Sequence, residues 1–157
     1  MLQQVTPAFK VISATPTLET TPDYSSGDRM GSLMTLTGAC APGRASRLVS
    51  VTLVDASAVG AALSILFFKS SPTIASADNA ALDMTDANAL LCVGHVSIAT
   101  GDYVATSSNK IACLRNLNLI MESGDGGNLY ALIRAGATIN IAAADDYKLT
   151  FAFEQGA

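Results

Sequence analysis

Apolar and polar residues alternate through most of this chain. In residues 48–54, Val49, Val51 and Leu53 fall on one face while Ser50 and Thr52 fall on the other. In residues 147–154, Tyr147, Leu149, Phe151 and Phe153 align in the same way. Six more stretches read as strands: 10–15, 33–40, 62–68, 92–98, 112–120 and 129–134, making eight, with a weaker ninth at 138–141. Turn chemistry separates them at Ala41-Pro42-Gly43, Ser70-Ser71-Pro72-Thr73, Ser123 to Asn128 and Ala144-Asp145-Asp146. Many short strands with regular turns predict an all-β antiparallel sandwich rather than an α/β fold. The pattern predicts one helix, about two turns over 86–91, with Thr85 as its N-cap and Asp86 at the positive end of its dipole. The outward face of β-patterned 92–98 carries His95 beside Val93 and Ser97.

The first thirty residues differ in character. Pro7, Pro16 and Pro22 punctuate a stretch rich in threonine and serine, with one apolar run around Phe9 to Ile12. The division expected is therefore 1–30 as an extended arm with one edge strand, suited to ordering against a neighbouring subunit, and 31–157 as the sandwich domain.

Composition sharpens the picture. Charged residues are 14% of the 157 and hydrophobic ones 50%, against a usual charged fraction of about 25%. A spanning helix needs about 20 consecutive apolar residues. The longest run of large ones, Ile65-Leu66-Phe67-Phe68, stops at Lys69, so no membrane segment is expected. The start, Met1-Leu2-Gln3-Gln4, has neither the basic nor the apolar region of a secretion signal, and none is expected. Low charge without a membrane segment points to surface hidden in protein contacts. A net charge of −4 with scattered lysines and arginines argues against nucleic acid as a partner. Cys40, Cys92 and Cys113 are odd in number and widely spaced, and read as small buried hydrophobes rather than disulfides or zinc ligands.

Candidate chemistry is sparse. His95 is the sole histidine, with no GxSxG turn or comparable nucleophile signature to serve it. Asp78, Asp83 and Asp86 do not follow the alternate spacing of a calcium loop, and capping and turn formation explain them. Gly124-Asp125-Gly126-Gly127 precedes a strand rather than a helix, so it reads as a hairpin turn and not a phosphate cradle. Glu19, Glu122 and Glu154 are isolated, and with no tryptophan no aromatic sugar platform is advertised. No catalytic, cofactor-binding or metal-ligating residue is expected, and the chain is not expected to be an enzyme.

Several stretches carry a family likeness in their order along the chain. They are Tyr24-Ser25-Ser26-Gly27-Asp28 leading into Met30-Gly31-Ser32-Leu33, then Ser50-Val51-Thr52-Leu53-Val54-Asp55, then Ser71-Pro72-Thr73. Asp78-Asn79-Ala80-Ala81-Leu82 before Thr85-Asp86-Ala87 and Asn128-Leu129-Tyr130-Ala131-Leu132-Ile133 complete the set. Over residues 24–155 the chain resembles capsid decoration (cement) proteins and related small structural proteins of tailed bacteriophages. That resemblance implies a jelly-roll-like sandwich on the outer surface of a phage head, made in the host cytoplasm. Its implied partners are the major capsid protein and other copies of itself, as a dimer or trimer. It supplies no catalytic residues. The rival expectations are a virion-surface module that binds a receptor or glycan, which needs a concave polar pocket with exposed aromatics, and a small hydrolase built around His95.

Overall fold

The computed structural model describes residues 8–156. Among them ten strands form two antiparallel sheets. The first has the order β1 (Ala8–Ala14), β10 (Tyr147–Gln155), β3 (Ala45–Asp55), β7 (Lys110–Leu114) and β6 (Tyr103–Ala105); β8 (Leu119–Glu122) pairs with the other end of β3. The second has the order β2 (Arg29–Leu36), β9 (Leu129–Ala135), β4 (Leu63–Phe68) and β5 (Cys92–Ile98). The pairings are nested: β1 with β10, β2 with β9, β3 with β7 and β8, β4 with β5. The chain is thus one long hairpin closed between β4 and β5 and rolled so that successive pairs fall in opposite sheets, which is the jelly-roll sandwich.

Alternation explains the core. On β10, Tyr147, Leu149, Phe151 and Phe153 are all buried, as the pattern predicts. From the second sheet come Leu36, Ile65, Phe67, Ala131 and Ile133. Phe151 meets Phe67 across the two sheets edge to face, with centroids 5.8 Å apart and planes at 84°. Such aromatic pairs add about 0.5–1.5 kcal/mol to simple area burial.

Several elements differ from the sequence pattern. On β3 the buried apolar residues are Leu48, Val51 and Leu53, while Val49 is only half-buried. Phe151 pairs with Val51 and Phe153 with Leu48, so β3 carries a bulge that removes Val49 from the expected face. The stretch 112–120 is two strands, not one, because Asn116 (φ 56°) and Asn118 (φ 51°) take left-handed conformations between them. The stretch 33–40 is displaced: β2 starts at Arg29 and ends at Leu36 before a turn through Gly38. Residues 138–141 form no strand, Ile139 making a single bridge to Tyr24. The short β6 was not legible, since two of its three residues are exposed. The helix α1 (Asp86–Ala89) is a single turn, with Thr85 accepting from the Asn88 amide at its start.

The division at residue 30 does not separate two bodies. Residues 8–14 take the expected edge position, while Leu18, Tyr24 and Met30 belong to the same core cluster as Phe151. Apolar side chains at 18, 24 and 30 are drawn into the common core, so 15–30 pack as part of the sandwich. Residues 1–7 of the expected arm lie outside the described residues.

The outer faces of the two sheets are unlike. The connection from β4 to β5 folds back over the second sheet, burying Phe68, Tyr130 and Leu132 beneath Ile74, Leu82, Met84 and Leu91. It is fastened along β2. The Asn79 amide donates to Arg29 O (3.0 Å), the Arg29 amide to Ala80 O (2.8 Å), and the Arg29 guanidinium to Ser76 O (2.7 Å). This covers the exposed edge of β2 with the chain's own backbone. On the first sheet the outward residues Phe9, Val11, Val104 and Ile120 stay exposed at 62–71%.

Two buried phenols link stability to pH. Burial pushes the Tyr24 and Tyr147 hydroxyls well above the usual phenol value. Folded Tyr keeps its proton where unfolded Tyr, near ~10, has lost it. Stability from these groups is therefore whole below pH ~10 and falls as pH rises beyond it, by about 1.4 kcal/mol per pH unit for each phenol. A pH series of denaturant melts is expected to show this loss, with the tyrosinate absorbance of both residues appearing only on unfolding. In the same assay Phe151→Ala is expected to cost about 3–5 kcal/mol. Val49→Ala, at the bulge, is expected to cost under about 1 kcal/mol.

Candidate functional site

The most structured concavity lies where the first sheet is interrupted. β3 pairs with β8 through Leu48 and with β7 from Val51 onward, leaving Val49 and Ser50 between the two partners. The loop joining β7 and β8 fills that gap, with the Leu117 amide donating to Val49 O at 3.1 Å. The left-handed Asn116 and Asn118 let it turn there, a conformation asparagine tolerates better than most residues. The result is a cavity of about 320 Å³ on the outer face, lined by Phe9, Arg47, Val49, Asn116, Asn118 and Glu154.

Its polar side chains are held in place. Phe9, Glu154 and Arg47 are register neighbours across β1, β10 and β3. The Arg47 Nε donates to Glu154 Oε2 at 2.9 Å, its Nη2 reaches the same oxygen, and its Nη1 donates to Asn118 Oδ1 at 3.1 Å. Glu154, isolated in sequence, is therefore paired in space, and Phe9 stands 65% exposed at the rim. Sequence reasoning missed this group because its members are spread from residue 9 to residue 154. The usable signal was the pair of asparagines in 112–120.

The sequence candidates fall elsewhere. His95 is exposed on β5, opposite Leu66, and does not line the cavity. Asp83 is exposed in irregular chain, and Asp86 lies in the first turn of α1, where Thr85 is the cap. Asp78 is a different kind of residue, neither cap nor turn alone. Its carboxylate accepts from the Gly31 amide (2.6 Å), the Tyr24 hydroxyl (3.0 Å), the Glu19 amide (3.1 Å) and the Asn79 amide (2.9 Å), tying the β4–β5 connection to residues 19–31. The glycine-rich stretch makes a tight turn, with Asp125 bridged to Asn128, but its flanking strands β8 and β9 lie in different sheets. It is a sheet-to-sheet corner rather than a strand hairpin. Gly127 (φ 97°) is required there, since a Cβ would stand 2.6 Å from Cys40 O. Among the described residues no three His, Cys, Asp or Glu side chains gather to hold a metal ion. Among the described residues no helix is long and apolar enough to cross a membrane.

The cysteines divide. Cys40 is buried as expected, and Cys92 is half-buried. Cys113 is exposed on the outer face of β7, where alternation turns it outward from buried Ala112. Arg115 Nε and the Thr52 hydroxyl each donate to its sulfur at 3.4 Å and lower the thiol pKa, Arg115 contributing most.

No protein-family model matches the chain, and no curated protein matches it. Among solved structures it is similar to a chain described as Desmodium yellow mottle tymovirus, at 15% identity and a TM-score of 0.30, covering 97% of this chain and 89% of that one. A superposition that loose says nothing about function, and the assignment of the fold rests on the strand pairing above.

In native protein Cys113 is expected to react first with an aromatic disulfide reagent, Cys40 only after unfolding, and all three thiols in unfolded, unreduced protein. Because Arg115 favours the thiolate, Arg115→Gln is expected to raise the pH midpoint of the Cys113 reaction. An unchanged midpoint would remove Arg115 from that account.

Proposed function

We propose that this chain is a non-catalytic structural component of a virus particle, a decoration protein that binds the outside of a phage head through its first sheet. The observation that carries this reading is the open outer face of that sheet. Along its far end the register aligns Lys148, Val54, Ile111 and Val104 across β10, β3, β7 and β6, and the next outward row is Ser13, Thr150, Thr52 and Cys113. Lys148 is the one charged residue in these two rows, and Val104 is 71% exposed. A flat sheet face with little charge matches the depleted charge of a protein-contact core. The chain spends the β4–β5 connection on covering its other sheet and leaves this one bare. The low overall charge and the ordered likeness to phage decoration proteins support the same reading.

The mechanism is mechanical. Copies joined by closed symmetry, as a dimer or trimer, bridge neighbouring capsid subunits, and the buried area lowers the free energy of the intact shell. The partners are the major capsid protein and further copies of this chain.

Co-sedimentation with undecorated heads tests this. The full chain is expected to pellet with them, and Val104→Glu with Ile111→Glu to abolish binding while leaving the melt of the free protein nearly unchanged. Binding unaffected by both charges would overturn the assignment of the face. A chain that binds no head at all would overturn the decoration reading.

A further inference from the structure

The cavity at the interrupted end of the first sheet has the chemistry of a sugar site. We propose that it binds a neutral saccharide of one or two pyranose rings, with Phe9 stacking on the C–H face and Asn116, Arg47 and Glu154 meeting the hydroxyls. This goes beyond the structural reading above and does not rest on it, since Phe9 and Asn116 lie at the opposite end of the sheet from Val54, Ile111 and Val104.

Five observations carry the proposal. A pyranose presents an apolar ring face and a rim of hydroxyls that both donate and accept. The cavity offers one aromatic ring, exposed at 65% rather than buried in the core. It also offers a guanidinium, a carboxylate and two amides, a set able to donate and accept.

The polar groups are already ordered. Glu154 and Asn118 hold Arg47 from both sides of its guanidinium, so little rotamer freedom is lost when a ligand arrives. Asn116 is held on the rim by its left-handed backbone, and its amide is exposed.

The charge balance selects the ligand class. Arg47 is neutralised by Glu154, so an anionic sugar or a phosphate would meet a carboxylate beside the only cation lining the cavity. An uncharged polyol meets no such penalty. The volume of about 320 Å³ is at the small end of the ligand-pocket range, about 300–1,000 Å³, and fits a short saccharide rather than a long chain. Because the cavity is open, weak binding is expected for a single ring, with affinity gained through several copies on one particle.

The test uses the full chain, labelled with nitrogen-15, titrated with the methyl glycosides of glucose, galactose, mannose and N-acetylglucosamine, and with N-acetylneuraminic acid as the anionic comparison. At least one neutral glycoside is expected to shift the side-chain amides of Asn116 and Asn118 saturably, and the anionic sugar to leave them in place. Phe9→Ala and Asn116→Gly are each expected to weaken that binding at least tenfold; glycine keeps the left-handed backbone while removing the amide. Unchanged melts and spectra for Asn116→Gly exclude loss of fold as the cause. The proposal is overturned if no glycoside in the panel shifts these amides, if the shifts map to another surface, or if both variants bind as the parent does. Head binding by Asn116→Gly is read in parallel, so that failure of the sugar site and failure of the decoration reading remain distinguishable.

Discussion

Two apolar sheet faces pressed together, with Phe151 against Phe67 near their centre, are the contact on which the rest of this molecule depends. The nested pairing makes that contact unavoidable. Each sheet takes strands from both halves of the chain, so the first is complete only when residues 8–14 have found residues 149–155, and the second only when residues 29–36 have found residues 129–134. A single sheet would leave one apolar face in water, where each large side chain forfeits about 1.5–3 kcal/mol of burial. The two sheets therefore form together. The Tyr24 and Tyr147 phenols are buried by the same closure, which is why their titration reports on the whole fold.

The sandwich buries its inner faces symmetrically but its outer faces unequally. Over the second sheet the β4–β5 connection builds a second apolar cluster and closes the edge of β2, fastened by Asp78 and Arg29. The hydrogen bonds from Asp78 to residues 19–31 make that cover part of the domain rather than a loose loop. Among the described residues the first sheet receives no equivalent cover, and its Val104 and Ile120 stand exposed. This asymmetry gives the described residues one covered side and one open side.

A single interruption shapes the open side. Where β3 changes partner from β8 to β7, an extra residue, Val49, is inserted against β10, and the joining loop must kink through two left-handed asparagines. The sheet cannot stay flat there, and the resulting hollow gathers Phe9, Arg47 and Glu154 from three strands.

The sequence by itself determined the class of fold and most of its strands. The two-residue period of Tyr147 to Phe153 is a local property, and those side chains are buried as the period requires. Thr85 and Asp86 likewise mark a helix start that local chemistry decides. Tertiary structure decided whatever depends on a partner strand. Val49 leaves the core face because of its register against β10, and no residue near Val49 encodes that register. Cys113 is exposed because β7, paired beside β3, turns it to the open outer face of the first sheet, although a cysteine in an apolar stretch reads as buried. Asp78 became a fastening point because residues 19–31 lie within reach of its carboxylate in space, far from it along the chain. Alternation specifies which residues share a face. Only the pairing of distant strands specifies which face is covered and where it breaks.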